Sequence, residues 1–218
     1  MDGQGSEFYW NFIDITDGIY EAKVRVSDGA SRIGDCSLRV IVQSQSQLPT
    51  RGRETWRSFL VSGEPETKGY GLYSYLLFGS RPTAASRERY LKAIEEYLKF
   101  PDLTRLQTSN LPYRTLNIIY LPIKVRPEPP ILDQLADARY SEVAEWMLKQ
   151  YDYERARVLL KDLSGTHREG PYFISVLTPP SGDTLSPPYL RQDQSSVPPH
   201  LVSLWATEFL NQAAQERF

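Results

Sequence analysis

The sequence predicts a fold of class α/β or α+β: a mixed sheet of three or more strands packed by helices, with an N-terminal β-hairpin. Three patterns carry that prediction. Residues 72–78 and 172–177 are apolar on nearly both faces, as strands covered on each side must be. Between and after them, apolar residues recur at the spacing of one helical face. Near the N-terminus, apolar and charged residues alternate instead, the mark of a strand with one wet face.

In chain order, Tyr20, Ala22, Val24 and Val26 alternate with Glu21, Lys23 and Arg25 to give the first hairpin strand. Its partner carries Cys36, Leu38, Val40 and Val42, and Asp28-Gly29 with Gly34-Asp35 supply turn residues for the connecting loop. Asp17-Gly18-Ile19-Tyr20 followed by Val26-Ser27-Asp28-Gly29 resembles the last two strands of bacterial immunoglobulin-like modules. The Gln/Ser stretch 43–49 reads as a linker. Residues 9–48 are therefore expected to be a hairpin appendage with its linker, and 49–218 the main domain. Gly5-Ser6-Glu7-Phe8 reads like residues left by cloning sites, and residues 213–218 stop inside a helical pattern without Gly, Asn or Pro. The expectation is a piece of a longer protein.

Residues 56–61 form a short apolar segment ahead of a loop. The strand at 72–78 runs into Gly79-Ser80-Arg81-Pro82-Thr83, a turn leading to a helix with Tyr90, Leu91, Ile94, Tyr97 and Leu98 at helical spacing. Pro101 ends it. A second strand runs near 116–125, where Pro122 demands a bulge, an edge or an early end. Leu132, Ala136, Tyr140, Val143 and Met147 then step along one helical face. Asp152 is placed to cap a further helix carrying Tyr153, Ala156, Leu160 and Leu163. After the strand at 172–177 comes a Pro/Ser/Gly-rich loop, 178–196, and then a final helix with Leu201, Leu204, Trp205, Phe209 and Ala213. The expected order is hairpin, linker, then β-α-β-α-α-β-α.

Composition narrows the function classes. Hydrophobic residues are 40% and charged residues 24% of 218, globular values, so one ordinary core is affordable. A formal net charge of -2 disfavours broad nucleic-acid binding, which usually needs a basic excess. Ten Lys/Arg against seven Asp/Glu between Arg51 and Arg105, with Arg51, Arg53 and Arg57 around Trp56, are too few for a nucleic-acid or lipid claim. The single cysteine, Cys36, forbids an intramolecular disulfide and suits the cytoplasm; an extracytoplasmic place would need a tether. No apolar run of about 18 residues exists, so a membrane enters only through segments outside this chain.

The constellation with most chemical content is the turn after the first buried strand. Backbone N–H groups at a helix start bind anions with help from the helix dipole, so Gly79, Ser80, Arg81, Thr83 and Arg87 are the candidate ligand-binding residues. The bland alternative is ordinary helix capping with solvated arginines. Leu77-Phe78-Gly79-Ser80-Arg81 resembles the Gly-Ser signature of nucleotidyltransferases, but no Asp-x-Asp follows to hold magnesium, and that assignment fails. There is no Walker or dinucleotide glycine pattern, and no His/Cys/Asp spacing for zinc. His167 and His200 are the only histidines, and neither belongs to a catalytic motif. No catalytic residue, metal or cofactor is assigned. The expectation is a noncatalytic binding or protein-interaction domain from a larger protein, meeting a protein partner or its own copy; Tyr189, Arg191 and Gln192 in the Pro-rich loop are further contact candidates. The alternative is a sensor or enzyme for an anionic small molecule, possibly a nucleotide, held at Gly79-Ser80.

Overall fold

The computed structural model of the protein describes residues 18–27, 33–42, 52–104, 112–161, 163, 169–180, 185 and 187–215. The chain divides into two units, Met1–Thr50 and Arg51–Phe218. In the first, β1 (Gly18–Ser27) and β2 (Ile33–Val42) pair antiparallel from Gly18↔Val42 to Ser27↔Ile33. Gly34 and Asp35 lie inside β2, opposite Val26 and Arg25, and not in the turn expected to use them. The turn residues 28–32, the linker 43–49 and His167 lie outside the described residues.

The second unit is an α+β fold on one mixed sheet, in the order β3-β5-β4-β6-β7. β3 (Glu54–Val61), β5 (Leu116–Ile123) and β4 (Leu72–Leu77) are parallel; β6 (Tyr172–Val176) runs antiparallel to β4, and β7 (Tyr189–Asp193) antiparallel to β6. Every residue of β4, β5 and β6 is buried, as double-sided apolar strands require. The segment 56–61 proves to belong to a full strand, β3. The stretch 178–196, expected to be a Pro/Ser/Gly-rich loop, contains another, β7. Its alternation of half-buried and exposed residues is that of an edge strand, ordered by pairing with β6.

Pro122 sits in β5, near the middle of the sheet, and the structure satisfies it by an early end on one side. Pairing of β4 with β5 stops at Tyr75↔Tyr120, so no neighbouring strand asks for the missing N–H. The Tyr151 hydroxyl inserts there instead, accepting from Phe78 N–H (3.0 Å) and donating to the Leu76 carbonyl (3.2 Å). The Pro122 carbonyl accepts from Asp152 N–H at 3.1 Å. One tyrosine and the residue after it thus replace the ladder that proline removes.

α1 (Arg87–Lys99) follows β4. The single helical face traced from Leu132 to Met147 is two helices, α2 (Pro129–Ala136) and α3 (Tyr140–Gln150). Between them Ala138 takes φ 59°, while Ala138 N–H bonds the Leu135 carbonyl and Arg139 N–H the Gln134 carbonyl. This is a Schellman stop with alanine in the left-handed position where glycine is usual. α4 (Tyr153–Leu160) begins as expected, with Asp152 accepting from Glu154 N–H (3.2 Å) and Arg155 N–H (3.1 Å). α5 (Pro199–Gln215) closes the unit.

α1 and α5 pack side by side, and Phe209 of α5 meets Phe173 of β6. On that sheet face, four strands are joined by a polar seam. Asn117 Nδ2 donates to Thr55 Oγ1 (3.2 Å), Ser74 Oγ donates to Asn117 Oδ1 (2.8 Å), and the Ser74 and Ser175 hydroxyls lie 2.7 Å apart. Asn117, Ser74 and Ser175 have no solvent exposure, so each needs these partners. The opposite face is lined by tyrosines, with Tyr75 and Tyr120 stacked at 5.8 Å. The chain crossing from β3 to β4 passes over it. Gly71 makes that passage possible, because a side-chain carbon there would fall 2.0 Å from the Arg114 carbonyl oxygen. The buried Glu66 carboxylate ties the crossing down, pairing with Arg155 of α4 at 3.5 Å and accepting from the Tyr75 hydroxyl at 3.4 Å.

Candidate functional site

Two helices that pack against each other differ in charge. α1 carries Arg87, Glu88, Arg89, Lys92, Glu95, Glu96 and Lys99, seven charged residues in 13. α5 carries one, Glu208, in 17. Its inner face is set by Val202, Ala206, Phe209, Leu210, Ala213 and Ala214, all buried. Of the apolar residues expected on this helix, Leu204 and Trp205 are not on that face. Leu204 is 64% exposed and Trp205 44% exposed, on the outer side with half-buried Leu201 one turn earlier. Further along the helix, Gln212 donates to the Glu208 carboxylate at 2.9 Å, holding the lone charge within the helix's own surface. The result is a short apolar outer patch that Glu208 and Gln212 continue along the same face one and two turns later. Isolated exposed leucines need no explanation, but three adjacent large apolar side chains on a helix with one charged residue form a patch.

The residues expected to hold an anion lie together after β4, where other groups take several of their donors. Gly79 N–H donates to the Glu169 carbonyl at 2.8 Å. Thr83 N–H donates to Ser86 Oγ (2.9 Å), Ser86 N–H to Thr83 Oγ1 (3.3 Å), and Arg87 N–H to the Thr83 carbonyl (3.0 Å). Ser80 Oγ donates to the Arg81 carbonyl at 3.1 Å. The Arg87 guanidinium pairs with Glu145 of α3, and Thr83 Oγ1 donates to the Glu169 carboxylate at 3.5 Å, so an acidic group stands beside the turn. Arg81 is exposed. Beneath the turn Tyr90 stacks on Phe78 at 4.1 Å and donates to the Ser80 carbonyl (3.3 Å). Burial drives its hydroxyl pKa well above the usual tyrosine value.

Tyr189, Arg191 and Gln192 are part of β7, where Gln192 Oε1 accepts from Gln194 at 2.6 Å. His200 is exposed in the first turn of α5. Of the basic-aromatic cluster, Arg57 is buried and committed to the segment after α1, with Nε donating to the Phe100 carbonyl at 2.8 Å. Trp56 is half-buried, and Arg51 lies outside the described residues. Among the described residues no group of three or more His, Cys, Asp or Glu is placed to hold a metal ion, and no helix is long and apolar enough to cross a membrane.

Sequence reasoning missed the α5 stripe although a signal was present. Apolar residues at 201, 204 and 205 and at 202, 206, 209, 210 and 213 cannot share one face of a helix, and a helix apolar on two sides implies two partners. No protein-family model matches the chain, and no curated protein or solved structure matches it.

Proposed function

We propose that Arg51–Phe218 is a noncatalytic protein-interaction domain and that α5 docks against α5 of a second copy of this chain. The observation that carries the reading is the exposure of Leu204 and Trp205 on a helix with one charged residue in 17. A charged partner would find no pattern of opposite charge to recognise on this stripe, whereas a second copy brings apolar surface and no opposing row of like charges. Desolvated tryptophan and leucine at the centre of a contact are effective anchors. The size of the helix bounds the strength. Seventeen residues span about 25 Å, and two such stripes bury well under the roughly 1,200 Å² of a stable complex. The association is therefore weak and concentration-dependent.

Sedimentation equilibrium of the full chain from about 10 μM to about 1 mM tests this, with dissociation constants in the upper part of that range expected. The weight-average mass should climb from 25.0 kDa toward twice that value. The double variant Leu204→Lys, Trp205→Gln should stay monomeric and folded. A wild-type chain that remains monomeric throughout overturns the reading, as does a dimer that survives the double substitution. A partner from another protein would show as a monomer whose complex depends on Leu204 and Trp205.

A further inference from the structure

We infer that the α5 helices of two copies meet antiparallel, so that Glu208 of each lies against the first turn of the other, beside its His200. The inference rests on the self-association proposed above and adds the geometry of that contact. Two identical helices that close into a dimer do so about a two-fold axis. With the axis along the helices, every residue faces itself. With the axis across them, the first turn of one copy faces the later turns of the other. The outer face of α5 carries Leu201, Leu204, Trp205, Glu208 and Gln212, at the spacing of helical neighbours.

Glu208 decides between the two arrangements. It is exposed, and it is the one charged residue of the helix. In a parallel contact centred on Leu204 and Trp205, the two Glu208 carboxylates would face each other one turn from the centre. Like charges in direct opposition work against association. In the antiparallel contact each carboxylate lies about 5 Å from the centre, in opposite directions. The two then stand about 10 Å apart along the helix axis, where salt screens most of their repulsion.

What each carboxylate meets instead is favourable. With Leu204 opposite Trp205, Glu208 falls opposite Leu201 of the second copy, next to that copy's exposed His200. An imidazole offers an N–H donor in either protonation state, and a carboxylate keeps acceptor sites beyond the one that Gln212 uses. The first turn of a helix is also the positive end of its dipole, and that of α5 contains no acidic residue. Within one helix His200 and Glu208 stand about 12 Å apart along the axis, too far to pair. Any coupling between them therefore crosses from one copy to the other.

Sedimentation equilibrium of the full chain from about 10 μM to about 1 mM tests the geometry. Wild type is compared with Glu208→Gln, with Glu208→Lys, and with the reversal that combines His200→Glu and Glu208→Lys. Both positions are exposed, so the variants should keep the fold. Each contact occurs twice in the dimer, so Glu208→Gln should weaken association about two- to threefold and Glu208→Lys at least about fivefold. The reversal puts opposite charges back across the contact and should return to within about threefold of wild type. A parallel contact requires the opposite sign, since Glu208→Gln would remove its self-opposed charges and tighten it. Tighter association of Glu208→Gln, or a reversal that recovers nothing over Glu208→Lys, overturns the antiparallel geometry and leaves self-association standing. A wild-type chain that stays monomeric throughout overturns both.

Discussion

α1 and α5 lie against each other and are joined by a hydrogen bond from the Thr207 hydroxyl to Glu96 at 2.7 Å, yet they meet water differently. α1 meets water with charged residues, Lys92 and Lys99 reaching from the exposed side to the largely buried Glu95 and Glu96, each three residues apart at 2.7 Å. The exposed lysines keep that side of the helix in water. α5 faces outward with Leu204 and Trp205. The inner faces obey the same rule, so the difference teaches that core packing accounts for one side of α5 only, and that its other side requires a separate reason.

The largest effect should show the inner faces to be equivalent. Tyr97→Ala on α1 and Phe209→Ala on α5 each empty a buried aromatic site, since the side chains are 0% and 8% exposed. Each should cost about 3–5 kcal/mol in urea denaturation. A loss under about 1 kcal/mol at Phe209 would mean that α5 is held less firmly than α1.

Alkaline pH should separate the two helices next. α1 contributes Tyr90 and Tyr97, and α5 contains no tyrosine. Burial raises the pKa of both hydroxyls well above the usual value, and burial pushes Tyr153, which opens α4, up to about 12. A raised folded-state pKa means that the unfolded chain loses its phenolic protons first. The stabilisation is therefore complete below about pH 10 and is lost as pH rises through the folded-state values. A thermal melt series from pH 8 to about 12 should show Tm falling above pH 10. Tyr97→Phe should flatten that fall, at the cost of the hydroxyl's bond to the Ser58 carbonyl (2.6 Å). A Tm that is flat across this range would break the contrast.

The smallest stability effects belong to the outer faces. Lys92→Ala on α1 and Leu204→Lys on α5 should each shift unfolding free energy by less than about 0.5 kcal/mol. Only the α5 change should alter the sedimentation profile. Equal profiles for the two variants would leave α5 as an ordinary helix with a greasy exterior.

What the sequence made legible follows from where its residues act alone. β4 and β6 were readable because burial on both faces shows as a run of apolar residues broken by only one serine in each strand. β7 was not, because Arg191, Gln192 and Asp193 carry no strand preference and become a strand only by pairing with β6. The break between α2 and α3 was hidden by alanine at a left-handed position, for which Asp137-Ala138-Arg139 gives no glycine signal. The turn from Gly79 to Thr83 was located correctly as a turn into a helix, but the partners of Gly79 N–H and of the Arg87 guanidinium, Glu169 and Glu145, come from distant parts of the chain. The α5 stripe was legible in its spacing, since apolar residues at 201, 204 and 205 and at 202, 206, 209, 210 and 213 lie on different sides of one helix.

The seam through Thr55, Asn117, Ser74 and Ser175 has a consequence for assembly of the sheet. Sliding any of these strands by one residue would turn its polar member over, to the tyrosine-lined side, and strand the others among hydrocarbon. Apolar side chains tolerate such a slip far better, since one greasy neighbour substitutes for another. The seam therefore works as an alignment key: it contributes modestly to holding the finished sheet, and chiefly makes every wrong alignment of its strands expensive.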